Sequence, residues 1–166
     1  AETVGDVEIV TIPRVETVKV GQPDLFGNCP TEERSRLWTA LDAAVSRGEL
    51  DKGPGDKNGP KFRQYRLDGI TIDVFTAEPV SFGHTVVVRT GGAMFSKLYV
   101  TVLKRLGLAS VDNRIVAQTE EARVRFGGSV IPVRHERDVF GLLGIPDLPP
   151  SLRGAYPGDS ETIAMR

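Results

Sequence analysis

Three carboxylates stand out by type and spacing. Asp6 and Glu8 lie two residues apart within Val4–Ile12, VGDVEIVTI. That stretch reads as a strand, and successive strand residues alternate faces, so both acids project from one side. Asp73 sits in Ile72-Asp73-Val74-Phe75, a charge inside an otherwise apolar strand. A lone buried carboxylate is costly, so it needs a partner, a metal or a solvent-facing side. Three carboxylates gathered on one sheet face would repel each other unless cations sat between them. Such a set suits one or two Mg²⁺ ions, which favour a few carboxylates plus phosphate oxygens. Two ions about 4 Å apart can activate an attacking hydroxyl and stabilise a leaving pyrophosphate in line. Composition alone leaves a plainer reading open: Asp6 and Glu8 as the wet face of an edge strand, and Asp73 as a strand-end acid.

The elements that must position these acids follow from local patterns. Pro13 ends the first strand. Residues 14–30, rich in turn formers, read as a loop. Residues 31–47 predict a helix, with Thr31 as cap, Glu32 and Glu33 in the first turn, an apolar face of Leu37, Leu41, Ala44 and Val45, and Gly48 as stop. Residues 51–61 (DKGPGDKNGPK) form a solvated loop or hairpin tip. Phe62–Leu67 and Ile70–Thr76 are paired strands around Asp68-Gly69. Thr85–Arg89 reads as a short apolar strand, Thr90-Gly91-Gly92 as a turn and residues 93–106 as a second helix. Val124–Val133 reads as a hairpin around Gly127-Gly128, and Glu136–Leu143 as a last short helix. The expected fold class is a mixed α/β (α+β) fold without internal repeats.

Composition narrows the functional classes. The chain has 166 residues and a formal net charge of −1, which on its face opposes nucleic-acid binding. The average hides a split: residues 1–79 hold 10 basic and 14 acidic side chains, whereas residues 80–166 hold 11 and 8. Cys29 is the single cysteine, so no intramolecular disulfide can form. No apolar run approaches membrane-spanning length, and the first residues resemble no signal peptide, so a cytoplasmic chain without membrane contact is expected.

Four segments together resemble the X family of DNA polymerases, the polymerase-beta-like nucleotidyltransferases, in their small bacterial and phage form. Gly5-Asp6-Val7-Glu8-Ile9-Val10 is similar to the family's first catalytic strand, and Ile72-Asp73-Val74-Phe75 to the strand of the third carboxylate. Arg89-Thr90-Gly91-Gly92-Ala93-Met94-Phe95-Ser96-Lys97 is similar to the turn and helix that hold the incoming nucleotide. Glu136-Arg137-Asp138-Val139-Phe140 and Leu148-Pro149-Pro150-Ser151-Leu152-Arg153 resemble its closing signature. The resemblance implies a nucleotidyltransferase palm with a mixed sheet over residues 1–88. A small mixed C-terminal lobe for nucleotide and DNA binding follows over 89–155, then a flexible tail over 156–166.

The resemblance also implies roles. Asp6, Glu8 and Asp73 would be catalytic and would ligate two Mg²⁺ ions, with Mn²⁺ able to substitute. Gly5 would lie against the triphosphate of a dNTP. Thr90 and Gly91 would form the turn under its sugar, with Ala93, Ser96 and Lys97 facing the nascent base pair. Lys61, Arg63, Arg89, Lys104, Arg105 and Arg114 would contact primed or gapped DNA, with Lys57 a further candidate. The implied reaction adds dNMP to a primer 3′-hydroxyl, in short gap filling or repair, by a monomer. Two departures stand out. Glu8 occupies a position where better-known members carry Asp. The family's helix and Gly-Ser turn before the first strand would precede Ala1, in a missing N-terminal segment or a second chain.

Other signals carry less. Nothing in the sequence places Cys29 with His84 or His135 for nucleophilic catalysis, and two His with one Cys are too few for a structural zinc site. Gly53-Pro54-Gly55 is not a dinucleotide fingerprint, lacking a preceding strand. Two alternatives to DNA synthesis remain: a nucleotidyltransferase acting on a non-DNA acceptor, and a catalytically impaired DNA-binding module.

Overall fold

The computed structural model describes residues 6–153, so Gly5 and the expected tail lie outside the described residues. Contacts divide the chain into two units, Ala1–Thr76 and Ala77–Arg166. In the first unit β1 (Asp6–Thr11) is followed by β2 (Val15–Lys19), β3 (Thr31–Ser35), α1 (Arg36–Ser46), β4 (Asp51–Lys52), β5 (Phe62–Leu67) and β6 (Ile70–Thr76). Four strands form one mixed sheet in the order β1-β6-β5-β4, with β1 parallel to β6 and the other pairs antiparallel.

The β5–β6 hairpin forms where the sequence predicts it. Asp68 and Gly69 have φ of 50° and 83°, the left-handed pair that a two-residue hairpin turn requires. One face of this sheet is apolar: Tyr65, Ile72 and Val74 pack against Leu37, Trp38, Leu41 and Val45 of α1. Because strand residues alternate, Asp73 points to the opposite face from Ile72 and Val74.

The sequence reading of residues 14–47 needs correction. Residues 14–30 are not all loop, and the helix does not start at Thr31. Thr31–Ser35 pairs with Val15–Lys19 as an antiparallel hairpin, and Ser35 caps α1, its Oγ accepting from Trp38 N at 3.4 Å. Thr31, Glu32 and Glu33 mimic a helix start, but cross-strand pairing of Thr17 with Glu33 and Val18 with Glu32 satisfies their backbone first.

The second unit comprises α2 (Phe82–Thr90), α3 (Ala93–Arg105), β7 (Leu108–Val111), β8 (Arg114–Ala117), α4 (Glu120–Phe126), β9 (Val130–Ile131), α5 (Glu136–Leu143) and α6 (Pro150–Arg153). Strands β7, β8 and β9 form an antiparallel sheet. Its core gathers Val87, Tyr99, Leu103, Leu108, Ile115, Val133, Val139 and Phe140. Two elements correct the sequence reading. Thr85–Arg89 is helical, as part of α2, which buries Gly83, His84, Thr85 and Val87, and tertiary packing overrides the strand preference of three consecutive valines. The start of Val124–Val133 is helix rather than hairpin. Thr119 Oγ1 caps α4 by accepting from Ala122 N at 3.1 Å, and Gly127 closes it with a left-handed φ of 76°.

Two buried polar groups pin this unit. His84 is 1% exposed. It makes hydrogen bonds through Nδ1 to Tyr99 Oη at 2.6 Å and through Nε2 to Ser110 Oγ at 2.8 Å. Burial lowers its pKa to about 4 and pushes the Tyr99 phenol up. Arg153, also buried, donates from Nε to Leu148 O and from Nη1 to Glu136 Oε1, both at 2.7 Å, and to Thr90 Oγ1.

Two outcomes follow. An unfolded histidine titrates near ~6.5. The neutral form of His84 therefore contributes stability that is complete above that pH and is lost as pH falls toward 4. The loss is on the order of 3 kcal/mol, and urea midpoints from pH 7 to 4 should show it. His84→Gln should flatten the decline, and an identical decline in both proteins would contradict the assignment. Arg153→Met should destabilise by about 3 kcal/mol in the same assay, the low end for a broken buried pair because Glu136 keeps access to water.

Candidate active site

The parallel register of β1 and β6 pairs Glu8 with Asp73 and Asp6 with Thr71. Paired residues of neighbouring strands share a face, so Asp6, Glu8 and Asp73 stand together on the face opposite α1. Asp6 and Glu8 are exposed, and Asp73 is half-buried. The next strand completes the row. Gln64 pairs with Asp73, and its Nε2 donates to Asp73 Oδ1 at 2.8 Å. Arg66, paired with Thr71, lies on this same face. One row further along, the rings of Phe62 and Phe75 stack with centroids 4.6 Å apart.

The three acids are hard oxygen donors, the type a divalent cation such as Mg²⁺ takes. As their side chains stand, no group of three potential metal ligands is assembled among the described residues. The shared face therefore fits the donor chemistry, and side-chain rotation is needed to gather it.

Gln64 and Arg66 were absent from the sequence-based set, yet the hairpin turn carried the signal for one of them. Gln64 stands four residues before Asp68 and Asp73 four after Gly69, so a two-residue turn at 68–69 places them opposite each other.

Arg63, expected on DNA, turns the other way, toward α1. Its Nη1 donates to both Asp42 carboxylate oxygens at 2.8 and 3.0 Å, and its Cζ lies 4.7 Å from the Trp38 ring centroid. The expectation fails to allow for register: residue 63 pairs with Val74 and so shares the helix-covered face. Lys61 is exposed at the start of β5, and Lys57 lies exposed in a short 3₁₀ turn, Gly55–Lys57.

In the second unit Thr90 ends α2 and Gly91-Gly92 turn the chain into α3. A Cβ at residue 91 would lie 2.3 Å from Phe95 Cδ1, so glycine lets that ring close on the turn. Thr90 Oγ1 donates to Val86 O at 2.7 Å and accepts from Arg153. Ser96 is held inward, Oγ donating to Val88 O at 3.3 Å, whereas Ala93 and Lys97 are exposed. Glu136 and Asp138 of the closing motif are framework. Glu136 accepts from Arg153, and Asp138 Oδ2 accepts from Arg134 N and His135 N at 2.8 and 2.9 Å, capping α5.

The expected DNA-facing cations divide. Arg114 donates from Nε to Glu78 Oε2 at 2.9 Å. Lys104 and Arg105 remain exposed and border a cavity of about 330 Å³ with Thr119, Glu121 and Arg125. Arg89 is exposed at the end of α2. Among the described residues no helix is long and apolar enough to cross a membrane.

No family model matches the chain, and no curated protein matches it. Among solved structures it is similar to Leishmania infantum polymerase beta in a ternary gap complex. The TM-score is 0.55 with 18% identity, over 70% of this chain and 49% of that one. The same polymerase in a ternary P/T complex gives a TM-score of 0.53 with 16% identity, over 70% and 52%. The chain thus spans about half the length of the polymerase chains it matches. The likeness is one of architecture: the fold is mixed α+β and polymerase-beta-like.

Proposed function

We propose that this chain is the catalytic part of a DNA polymerase-type nucleotidyltransferase of the X-family kind, in its small bacterial and phage form. It adds dNMP from a dNTP to a primer 3′-hydroxyl in short gap filling or repair. The observation that carries the proposal is the β1–β6 register, which sets Glu8 beside Asp73 with Asp6 on the same open face of a polymerase-beta-like fold.

Asp6, Glu8 and Asp73 are the residues that hold divalent cations, Mg²⁺ or Mn²⁺. When bound, those ions supply charge neutralisation for the phosphates and activation of the attacking hydroxyl. Glu8 keeps the charge of the more usual Asp with a longer reach, which suits an exposed strand position. Asp73 accepts the proton of the attacking hydroxyl or orients that group. Gln64 fixes one Asp73 oxygen and leaves the other for the substrate side. The Gly91-Gly92 turn and the exposed Ala93 and Lys97 receive the nucleotide, with Gly5 against its triphosphate. Thr90 and Ser96 act as the turn's internal ties, since their hydroxyls already serve backbone carbonyls. Lys61, Arg89, Lys104 and Arg105 supply phosphate contacts, each adding salt-dependent affinity for primed DNA. Catalysis is positioning and electrostatics rather than covalent chemistry.

One observation favours a second reading. Arg63 and Arg114, two cations expected on duplex phosphates, are bound to Asp42 and Glu78. A reduced cationic surface suits a nucleotidyltransferase with a non-DNA acceptor. Primer extension on gapped DNA with Mg²⁺ or Mn²⁺, using the full-length protein, separates the two. Extension abolished by Asp73→Ala, and lowered about 10- to 100-fold by Gln64→Ala through loss of an orienting partner, supports polymerisation. Extension unchanged by Asp73→Ala would sink the assignment. Metal-dependent dNTP binding without salt-sensitive binding to primed DNA would favour the non-DNA acceptor.

A further inference from the structure

Lys104 and Arg105 in the last turn of α3, and Arg125 in the last turn of α4, border one cavity of about 330 Å³. A single acid, Glu121, borders it too, so the side chains facing this space leave a net charge of +2. Elsewhere the chain neutralises its cations: Arg47, Arg63, Arg114 and Arg123 each sit in an ion pair. Among the described residues the three cations of the cavity form no ion pair, and Arg125 rests its Cζ 5.0 Å from the Phe126 ring centroid. Like charges gathered around a concave space raise its potential, because low-dielectric walls focus the field.

Charge at helix ends does not account for this gathering. Basic side chains favour the last turn of a helix, which explains each cation on its own helix but not two last turns meeting at one cavity. The last carbonyls of α3 are also served already, Leu106 N donating to Val102 O at 3.1 Å and Gly107 N to Lys104 O at 3.0 Å. The floor of the cavity is fixed. Gly107 has a left-handed φ of 73°, and a Cβ there would lie 2.9 Å from Thr119 Oγ1. Gln118 N donates to Gly107 O at 2.8 Å. Thr119 Oγ1 accepts from Ala122 N, which leaves its own proton uncommitted among the described residues.

Charge and shape select the ligand. A phosphodiester within a strand brings a single negative charge and is tied to the chain on both sides. A phosphomonoester carries about −1.5 to −2 charges at pH 7 and three acceptor oxygens. It matches the net +2 of the cavity and, as an end group, can enter a recess. We propose that Lys104, Arg105 and Arg125 form a binding site for a phosphomonoester, with Thr119 Oγ1 donating to one phosphate oxygen. This deepens the phosphate contact given above to Lys104 and Arg105. It rests on the DNA-synthesis reading only for the source of the group, which is the phosphorylated end of a strand or a free phosphorylated small molecule.

The experiment follows backbone amide NMR signals of the full-length protein, without dNTP or divalent metal, so its outcome does not depend on whether polymerisation occurs. One arm titrates ribose 5-phosphate to about 10 mM, a range that captures weak binding. The other titrates a single-stranded oligonucleotide with a terminal phosphate and its dephosphorylated counterpart. Saturable shifts of the Gly107 and Thr119 amides by either phosphorylated probe support the proposal, and the tighter probe identifies the source. Arg125→Ala should weaken that binding about 10-fold or more. Glu121→Gln, which removes the opposing charge, should tighten it about 2- to 5-fold, a gain that a damaged fold would not give. Binding should also fall between about pH 7.5 and about pH 5.5, as the monoester gains a proton near pH ~6. The charged groups facing the cavity are Lys104, Arg105, Glu121 and Arg125, and side chains of these types ordinarily titrate outside that window. Absence of shifts with both phosphorylated probes, binding indifferent to Arg125→Ala, or equal binding of the two oligonucleotides with none of ribose 5-phosphate overturns the proposal.

Discussion

The arrangement of the acids depends on the parallel pairing of β1 with β6. Side chains on a strand alternate with a period of two, so a slip of one residue would turn Asp6 and Glu8 onto the face covered by α1. In the observed register Val7 pairs with Ile72 and Ile9 with Val74, and it is Ile72 and Val74 of β6 that pack with Tyr65 and Trp38. The packed face is thus anchored by β6, and β1 takes its orientation by pairing with it. The hairpin β5–β6 carries the same logic across the sheet, Tyr65 opposite Ile72 on the packed face and Gln64 opposite Asp73 on the open one.

The turn between α2 and α3 is secured differently. Here the fixed points are polar and buried. Arg153 links Glu136, Leu148 and Thr90, so α6, α5 and the end of α2 are tied through one guanidinium. The Cζ of Arg153 also lies 5.0 Å from the Phe140 ring centroid. Residues of the closing motif therefore act on the Thr90-Gly91 turn from behind, as framework. Such a pin gives a defined geometry at the expense of desolvating a charge, a balance that holds when the partners are fully engaged.

Strong local signals made much of this legible in the sequence. The Asp68-Gly69 hairpin, α3 with its Phe95, Tyr99 and Leu103 face, and α5 all lie where the pattern puts them. Errors arose where two local codes competed. Thr31-Glu32-Glu33 satisfies the rules for a helix start, yet a partner strand from Val15 to Lys19 claims it. Val86-Val87-Val88 has strand propensity, yet it lies within α2, from which Val87 enters the buried core. Thr119-Glu120-Glu121 and Gly127 are a complete cap-and-stop pair, obscured by the neighbouring Gly128 turn signal. The common face of Asp6 and Glu8 follows from their spacing, and the β1–β6 register adds Asp73 to it. The misdirection of Arg63 could not be foreseen, because which face a strand residue takes is decided by register and not by its charge.

The position of β1 has one more consequence. Among the described strands it is the edge of its sheet, with Val7 and Ile9 38% and 42% exposed. An edge with unpaired amides and accessible apolar side chains invites another chain to add a strand, and negative charge along it discourages the approach. Asp6 and Glu8 therefore place negative charge along that edge. Neutral substitutions there, and saturation with a multivalent cation, expose the molecule to one shared hazard: strand-to-strand assembly along β1.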